Sequence, residues 1–113
     1  MKRFLVVEDE FFIAGHIAWL LEVDGAEVVG PVGSLDEATA LASREQLDGA
    51  LLDLNIHGGP IDQVATILAS RGVPFVFVTA YGPDRLPRDF RQSQIVSKPF
   101  ADEVLLRVVH ELM

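Results

Sequence analysis

The chain contains no cysteine, which excludes disulfides and thiolate metal ligands and fits a reducing cytoplasm. It has no apolar run near the roughly 20 residues that a membrane-spanning helix requires. The start lacks the make-up of a secretory signal, because after Lys2-Arg3 only four apolar residues precede three acids. Positive charge is scarce: nine basic residues face 17 acidic ones, a formal charge of −8. Neither nucleic acid nor an anionic membrane is an expected partner for such a surface. No low-complexity tract or linker interrupts the 113 residues, which suffice for one domain with a real core but not for two. A small, acidic, cytoplasmic domain is expected.

What the chain does have is alternation. Short apolar runs occur at RFLVV (3–7), AEVVG (26–30), GALLDL (49–54), VPFVFV (73–78) and QIVS (94–97). Their β-branched and aromatic content reads as strand, and their near-continuous apolarity implies burial on both faces, as in a parallel sheet. Helical patterns fill the intervals near 10–23, 34–46, 60–71, 83–92 and 100–112. Gly25, Gly49 and Gly72 sit where helices should stop, and Ser34-Leu-Asp-Glu37 forms a capping box. Pro83 and Pro87 bracket the fourth helix and make it short. Five βα units predict an α/β, flavodoxin-like, doubly wound five-stranded parallel sheet of order 2-1-3-4-5 with right-handed crossovers. The last helix runs to the final residue, so residues 1–113 are expected to form this domain alone, without an output domain.

In such a sheet, ligands bind outside the carboxyl ends of the strands at the switch point between strands 1 and 3. Glu8-Asp9 ends the first strand, Asp53 the third with Asn55 two residues on, Thr79 the fourth, and Ser97-Lys98-Pro99 the fifth. Asp53 follows GALL at the end of a buried strand, where an ionised group is costly without partners. Carboxylates gathered this closely should have raised pKa values unless a cation joins them. Oxygen-only donors, few in number, suit Mg²⁺ better than Ca²⁺, and no neighbouring Cys or His offers a softer site. Mg²⁺ on one or two carboxylates commonly takes phosphate oxygens as further ligands, so phosphoryl transfer is the expected chemistry. Asp53 could then be the nucleophile, forming an aspartyl phosphate. Lys98 would neutralise charge and Thr79 would donate a hydrogen bond. Each piece alone has a plainer explanation. Glu8-Asp9-Glu10 fits helix-start charge as well as a metal site, Thr79 is a good β-former, and a lone Lys98 would be a surface lysine.

Taken in order, the pair Glu8-Asp9, LLDLN with Asp53, VTA with Thr79, and KPF at 98–100 make the whole chain resemble a response-regulator receiver domain of two-component signalling. The run PFVFVTAYG is similar to a subgroup of stand-alone receivers. The resemblance implies that Asp53 is the phosphoacceptor. It further implies that Glu8, Asp9, Asp53 and the Asn55 carbonyl hold Mg²⁺, that Thr79 and Lys98 contact the phosphoryl group, and that Lys98–Pro99 is cis. A sensor histidine kinase or histidine phosphotransfer protein would supply the phosphoryl group. The protein would catalyse only its own phosphorylation and dephosphorylation. Its output would run through an unidentified downstream protein, through relay or sink behaviour, or through a phosphorylation-dependent homodimer.

Three features depart from the family pattern. The glycine expected eight residues after the phosphoacceptor is Ile61, with Gly58-Gly59-Pro60 before it, which implies a reshaped loop. The switch aromatic expected three residues before the lysine is Ile95, and Tyr81 is the nearby aromatic that could replace it in concert with Thr79. The compact interval from Thr79 to Lys98 shortens helix 4. On helix 1, Ile13, Ile17, Leu20 and Leu21 form a core face at about 100° per residue. Phe12, His16 and Trp19 form a second stripe, read either as packing or, with Ile13 and Pro99, as a partner surface of the kind receivers present to kinase helices. His57 and His110 read as a solvated loop residue and a helix-end charge. Arg85, Arg88 and Arg91 read as a solvated face. Two rivals remain at this point. A small phosphohydrolase of the haloacid-dehalogenase type would want an acid where Asn55 stands, and a receiver reduced to a non-phosphorylated interaction module would be expected to have lost Asp9, Asp53, Thr79 or Lys98.

Overall fold

A computed structural model describes residues 1–112 of the chain. Its elements are β1 (Arg3–Val7), α1 (Phe11–Val23), β2 (Glu27–Val32), α2 (Leu35–Arg44), β3 (Gly49–Leu52), β4 (Asn55–Ile56), β5 (Gly59–Pro60), α3 (Asp62–Ser70), β6 (Phe75–Thr79), β7 (Ile95–Ser97) and α4 (Asp102–Glu111). The main sheet has the order β2-β1-β3-β6-β7, and every pairing in it is parallel. Counting only the five strands of this sheet, the order is the expected 2-1-3-4-5.

Alternate residues of each strand face opposite layers, as the pleat requires. Phe4, Val6, Leu51, Val76 and Val78 point toward Ile17, Leu20 and Leu21 of α1 and Leu105, Val108 and Val109 of α4. Leu5, Val7, Ala50, Leu52 and Phe77 point toward Ala38 and Ala42 of α2 and Val64, Ala65 and Leu68 of α3. β1 and β3 are therefore apolar without interruption, because both of their faces are covered. Among the described residues no helix is long and apolar enough to cross a membrane.

Local signals account for most of the ends. Ser34 caps α2: its hydroxyl oxygen accepts from the Glu37 amide at 3.3 Å and its hydroxyl lies 2.9 Å from the Glu37 carboxylate. Gly25 and Gly72 follow α1 and α3 with φ of +92° and +73°, the left-handed turn that ends a helix. Gly49 differs from expectation. It terminates no helix, since α2 ends at Arg44, and instead starts β3 where a Cβ would lie 2.9 Å from the Phe4 ring.

The fourth helix expected over 83–92 is absent. Two short 3₁₀ turns, Pro83–Arg85 and Arg88–Phe90, occupy its place. Pro87 holds an extended ψ of 143° between them and cannot donate to an α-helical ladder. Leu86 and Phe90 still cover the sheet there, Phe90 meeting Phe75 edge-on with ring centroids 5.4 Å apart. The third helix starts at Asp62, because residues 55–60 form the β4–β5 hairpin, antiparallel with Asn55 opposite Pro60. This hairpin is the reshaped loop. It rests on the turn before α2, where the His57 amide donates to Gly33 O at 3.0 Å and the Leu35 amide to His57 O at 2.7 Å.

Candidate functional site

The carboxyl ends of β1, β3, β6 and β7 converge on one cleft of about 300 Å³, lined by Asp9, Glu10, Asp53, Asn55, Thr79, Ala80, Tyr81 and Lys98. Backbone pairing sets these positions. The Asp53 amide donates to Val7 O at 2.9 Å, holding the nucleophile candidate beside the acidic pair, and the Lys98 amide donates to Thr79 O at 2.9 Å. Lys98–Pro99 is cis, as the resemblance implies.

Glu8, Asp9 and Asp53 each place a carboxylate oxygen within 4.8 Å of the others. Their surroundings differ. Asp9 is exposed, whereas Glu8 and Asp53 are buried, with Glu8 behind the cleft wall. Glu8 Oε2 accepts from the Glu10 amide at 3.2 Å. Its Oε1 lies 2.6 Å from Lys98 Nζ, a buried ion pair. Lys98 Nζ is also 3.4 Å from Asp53 Oδ2. Burial, reinforced by the charge of Asp53 and opposed by the Lys98 ammonium, pushes the Glu8 carboxyl up to about 7. The Lys98 ammonium is itself raised: burial opposes its charge, but contact with Glu8 and the charge of Asp53 outweigh that.

Burial of two acids around one ammonium leaves the cluster short of positive charge. The donor set, carboxylate oxygens of Glu8, Asp9 and Asp53 within 4.8 Å of one another, fits a hard divalent cation such as Mg²⁺. Gly33 makes the arrangement possible from the neighbouring turn, since a Cβ there would lie 2.9 Å from Asp9 Cα and 3.2 Å from Asp9 Cβ.

Thr79 is buried at the end of β6, and its Oγ1 accepts from the Tyr81 amide at 3.1 Å. Tyr81 is 39% exposed beneath the Arg85 guanidinium, whose carbon is 4.9 Å from the ring centroid. Ile95 lies opposite Phe77 in the β6–β7 register and packs on the α2–α3 layer.

The stripe on α1 comes together with Pro99. Phe12, Ile13, His16, Lys98, Pro99 and Phe100 line an apolar cleft of about 260 Å³ next to the acidic one. The His16 ring stacks on Trp19 and on Phe100, and its Nε2 lies 2.8 Å from Asp102 Oδ1. Sequence reasoning missed three contributors. Phe11, 82% exposed beside Phe12, carries no helical-period signal of its own. Phe100 reads as part of KPF, and Glu10, read as helix-start charge, lines the acidic cleft. His57 is exposed in the hairpin and lines neither cleft.

No protein-family model matches the chain. The transcriptional regulatory protein PdtaR of Mycobacterium tuberculosis is 30% identical over 112 residues, 96% of this chain and 55% of that protein. The solution structure of SdrG from Sphingomonas melonis Fr1 is 34% identical with a TM-score of 0.85, covering 99% of this chain and 96% of that one. The response regulator PhyR from Brucella abortus is 34% identical with a TM-score of 0.83, covering 98% of this chain and 47% of that one. The chain thus spans about half the length of the curated relatives it matches. Shared sequence and backbone fold along nearly the entire chain place it in the response-regulator receiver-domain family, the signalling modules of two-component phosphorelays.

Proposed function

We propose that Asp53 accepts a phosphoryl group from the phosphohistidine of a sensor histidine kinase or histidine phosphotransfer protein. The observation that carries this reading is the convergence of Glu8, Asp9 and Asp53 within 4.8 Å with Lys98 Nζ beside two of them. An Asp53 oxygen attacks phosphorus while the phosphorus–nitrogen bond to the donor imidazole breaks, leaving its electron pair on that ring. Glu8, Asp9, Asp53 and the Asn55 carbonyl would hold Mg²⁺, which when bound neutralises developing charge on the phosphoryl oxygens. Lys98 exchanges its contact with Asp53 for one with the phosphoryl group. The Thr79 hydroxyl donates to another phosphoryl oxygen while still accepting from the Tyr81 amide. Hydrolysis of the acyl phosphate later restores the carboxylate.

The exposed aromatic face of α1 supports a docking role for Phe12, Ile13, His16, Trp19 and Pro99, because the cleft they adjoin reaches Lys98 and so lies next to the acceptor. Tyr81 is the residue through which Thr79 reports phosphorylation, since Ile95 is a packed aliphatic. Output passes by protein contact, and residues 1–113 carry the receiver activity. Incubation with Mg²⁺ and acetyl phosphate should add one phosphoryl mass that Asp53→Asn abolishes. No labelling, or equal labelling of the variant, overturns the assignment.

A further inference from the structure

The turn before α2 is fastened to two parts of the acidic cleft. Toward β1, the Glu8 amide donates to Val32 O at 2.9 Å, and a Cβ on Gly33 would lie 2.9 Å from Asp9 Cα. Toward the β4–β5 hairpin, Ser34 and His57 form a parallel bridge. The His57 amide donates to Gly33 O at 3.0 Å, and the Leu35 amide donates to His57 O at 2.7 Å. The same hairpin begins at Asn55, which pairs with Pro60. Its tip, Gly58-Gly59, has φ of +102° and +143°, and a Cβ on either residue would lie 3.3 or 3.1 Å from the Leu35 side chain. The hairpin also lines a cleft of about 420 Å³ with Tyr81, Arg85 and Pro87, where two short turns stand in place of a fourth helix.

A hairpin with two-residue strands has little stability of its own, so what it pairs with sets its geometry. Here that partner is the turn that touches Asp9. The backbone thus runs in a closed circuit from Asp9 through Gly33 and His57 to Asn55. We propose that the 33–35 turn and the hairpin form a clasp that holds the Asp9 and Asn55 ligands of Mg²⁺ in register. The Leu35 amide and the His57 carbonyl are its positioning groups. The clasp rests on the reading of Asp9 and Asn55 as Mg²⁺ ligands. Coupling of this kind is reciprocal: whatever the clasp adds to cation affinity, cation binding returns as clasp stability. Occupancy of the site is therefore reported at the first turn of α2, where Asp36 and Glu37 are exposed.

One substitution isolates the bond. Leu35 is the first residue of α2, where proline is tolerated because that amide has no partner within the helix. Ser34 is already extended, with φ −119° and ψ 152°, as a residue preceding proline must be. Leu35→Pro removes the donor to His57 and keeps the helix, and Leu35→Ala controls for the lost side chain. Mg²⁺ titrations followed by amide chemical shifts should show Leu35→Pro binding roughly three- to tenfold more weakly than Leu35→Ala. In the unaltered protein, Mg²⁺ should slow hydrogen exchange at the Leu35 and His57 amides by a larger factor than at amides of α4. That measurement needs no variant, so it decides the matter even where a variant misfolds. Equal Mg²⁺ affinity of the two variants, or no selective slowing at Leu35 and His57, overturns the clasp and leaves the ligand assignment standing. Failure of the unaltered protein to bind Mg²⁺ overturns both.

Discussion

Burial lifts the Glu8 carboxyl to about 7 from its ordinary 4.5, so in the metal-free protein this group takes its neutral form only below about pH 7. A pKa raised by folding contributes stability that is complete below the unfolded value and disappears as pH rises through the folded one. The metal-free protein should therefore lose melting temperature between about pH 4.5 and pH 7. Glu8→Gln should flatten that part of the profile; an unchanged slope in the variant contradicts the assignment. Metal binding requires the carboxylate, so the rise in melting temperature caused by Mg²⁺ should be larger at pH 8 than at pH 6. Equal rises at the two pH values would count against Glu8 as a ligand. Read alone, Glu8-Asp9-Glu10 was three like charges at a helix start. The side chains separate on folding: Glu8 is buried against Lys98, whereas Asp9 and Glu10 are exposed and line the cleft, Glu10 from the N-cap position of α1 without a side-chain cap bond. No sequence pattern distinguishes such environments.

At the scale of elements, the turn before α2 matters more than its sequence suggests. Gly33 touches Asp9 from one side and accepts the hairpin's His57 amide on the other. Gly33→Ala should cost about 1–3 kcal/mol by overpacking and should reduce Mg²⁺-induced stabilisation more than global stability, as compared by thermal melts with and without the metal. An alanine that left Mg²⁺ stabilisation intact would show that the turn yields without moving Asp9. On α1, Phe12→Ser and Trp19→Ser remove exposed aromatics that are 84% and 57% accessible. Stability should stay within about 0.5 kcal/mol, acetyl phosphate labelling should continue, and transfer from the cognate kinase should slow. Unchanged transfer would reduce the stripe to helix covering. The helices themselves were legible, because Ser34, Gly25 and Gly72 carry local chemistry. The fourth was expected from the βα alternation as a helix shortened by Pro83 and Pro87, but the missing donor of Pro87 leaves only two short turns.

For the whole molecule, one sheet with two separate apolar layers means that each layer depends on the strands between them. Phe77 is fully buried, facing α2 and α3 and meeting Phe75 edge-on at 5.5 Å. Phe77→Ala should cost about 3–5 kcal/mol, read from denaturant melts, and should loosen Thr79 two residues away, lowering acetyl phosphate labelling. A loss below about 1 kcal/mol would mean that the layer repacks around the gap. Sheet order and layer assignment followed from the alternation of apolar runs with helical periods, which topology rules convert into very few arrangements. The residues at the strand ends followed with them, so Asp9, Asp53, Thr79 and Lys98 could be assigned to one end of the sheet from sequence alone.

The sequence by itself determined the architecture and which polar residues meet, because strand and helix periods, caps and short connections are local properties that leave little topological choice. Only the tertiary structure decided how those residues share charge and what lies beside them. Burial of Glu8 under Lys98, the hairpin leaning on Gly33, and the cleft left where Pro87 prevents a helix all arise from contacts between segments distant in the chain. Desolvation and close approach depend on those distances, and no stretch of sequence records them.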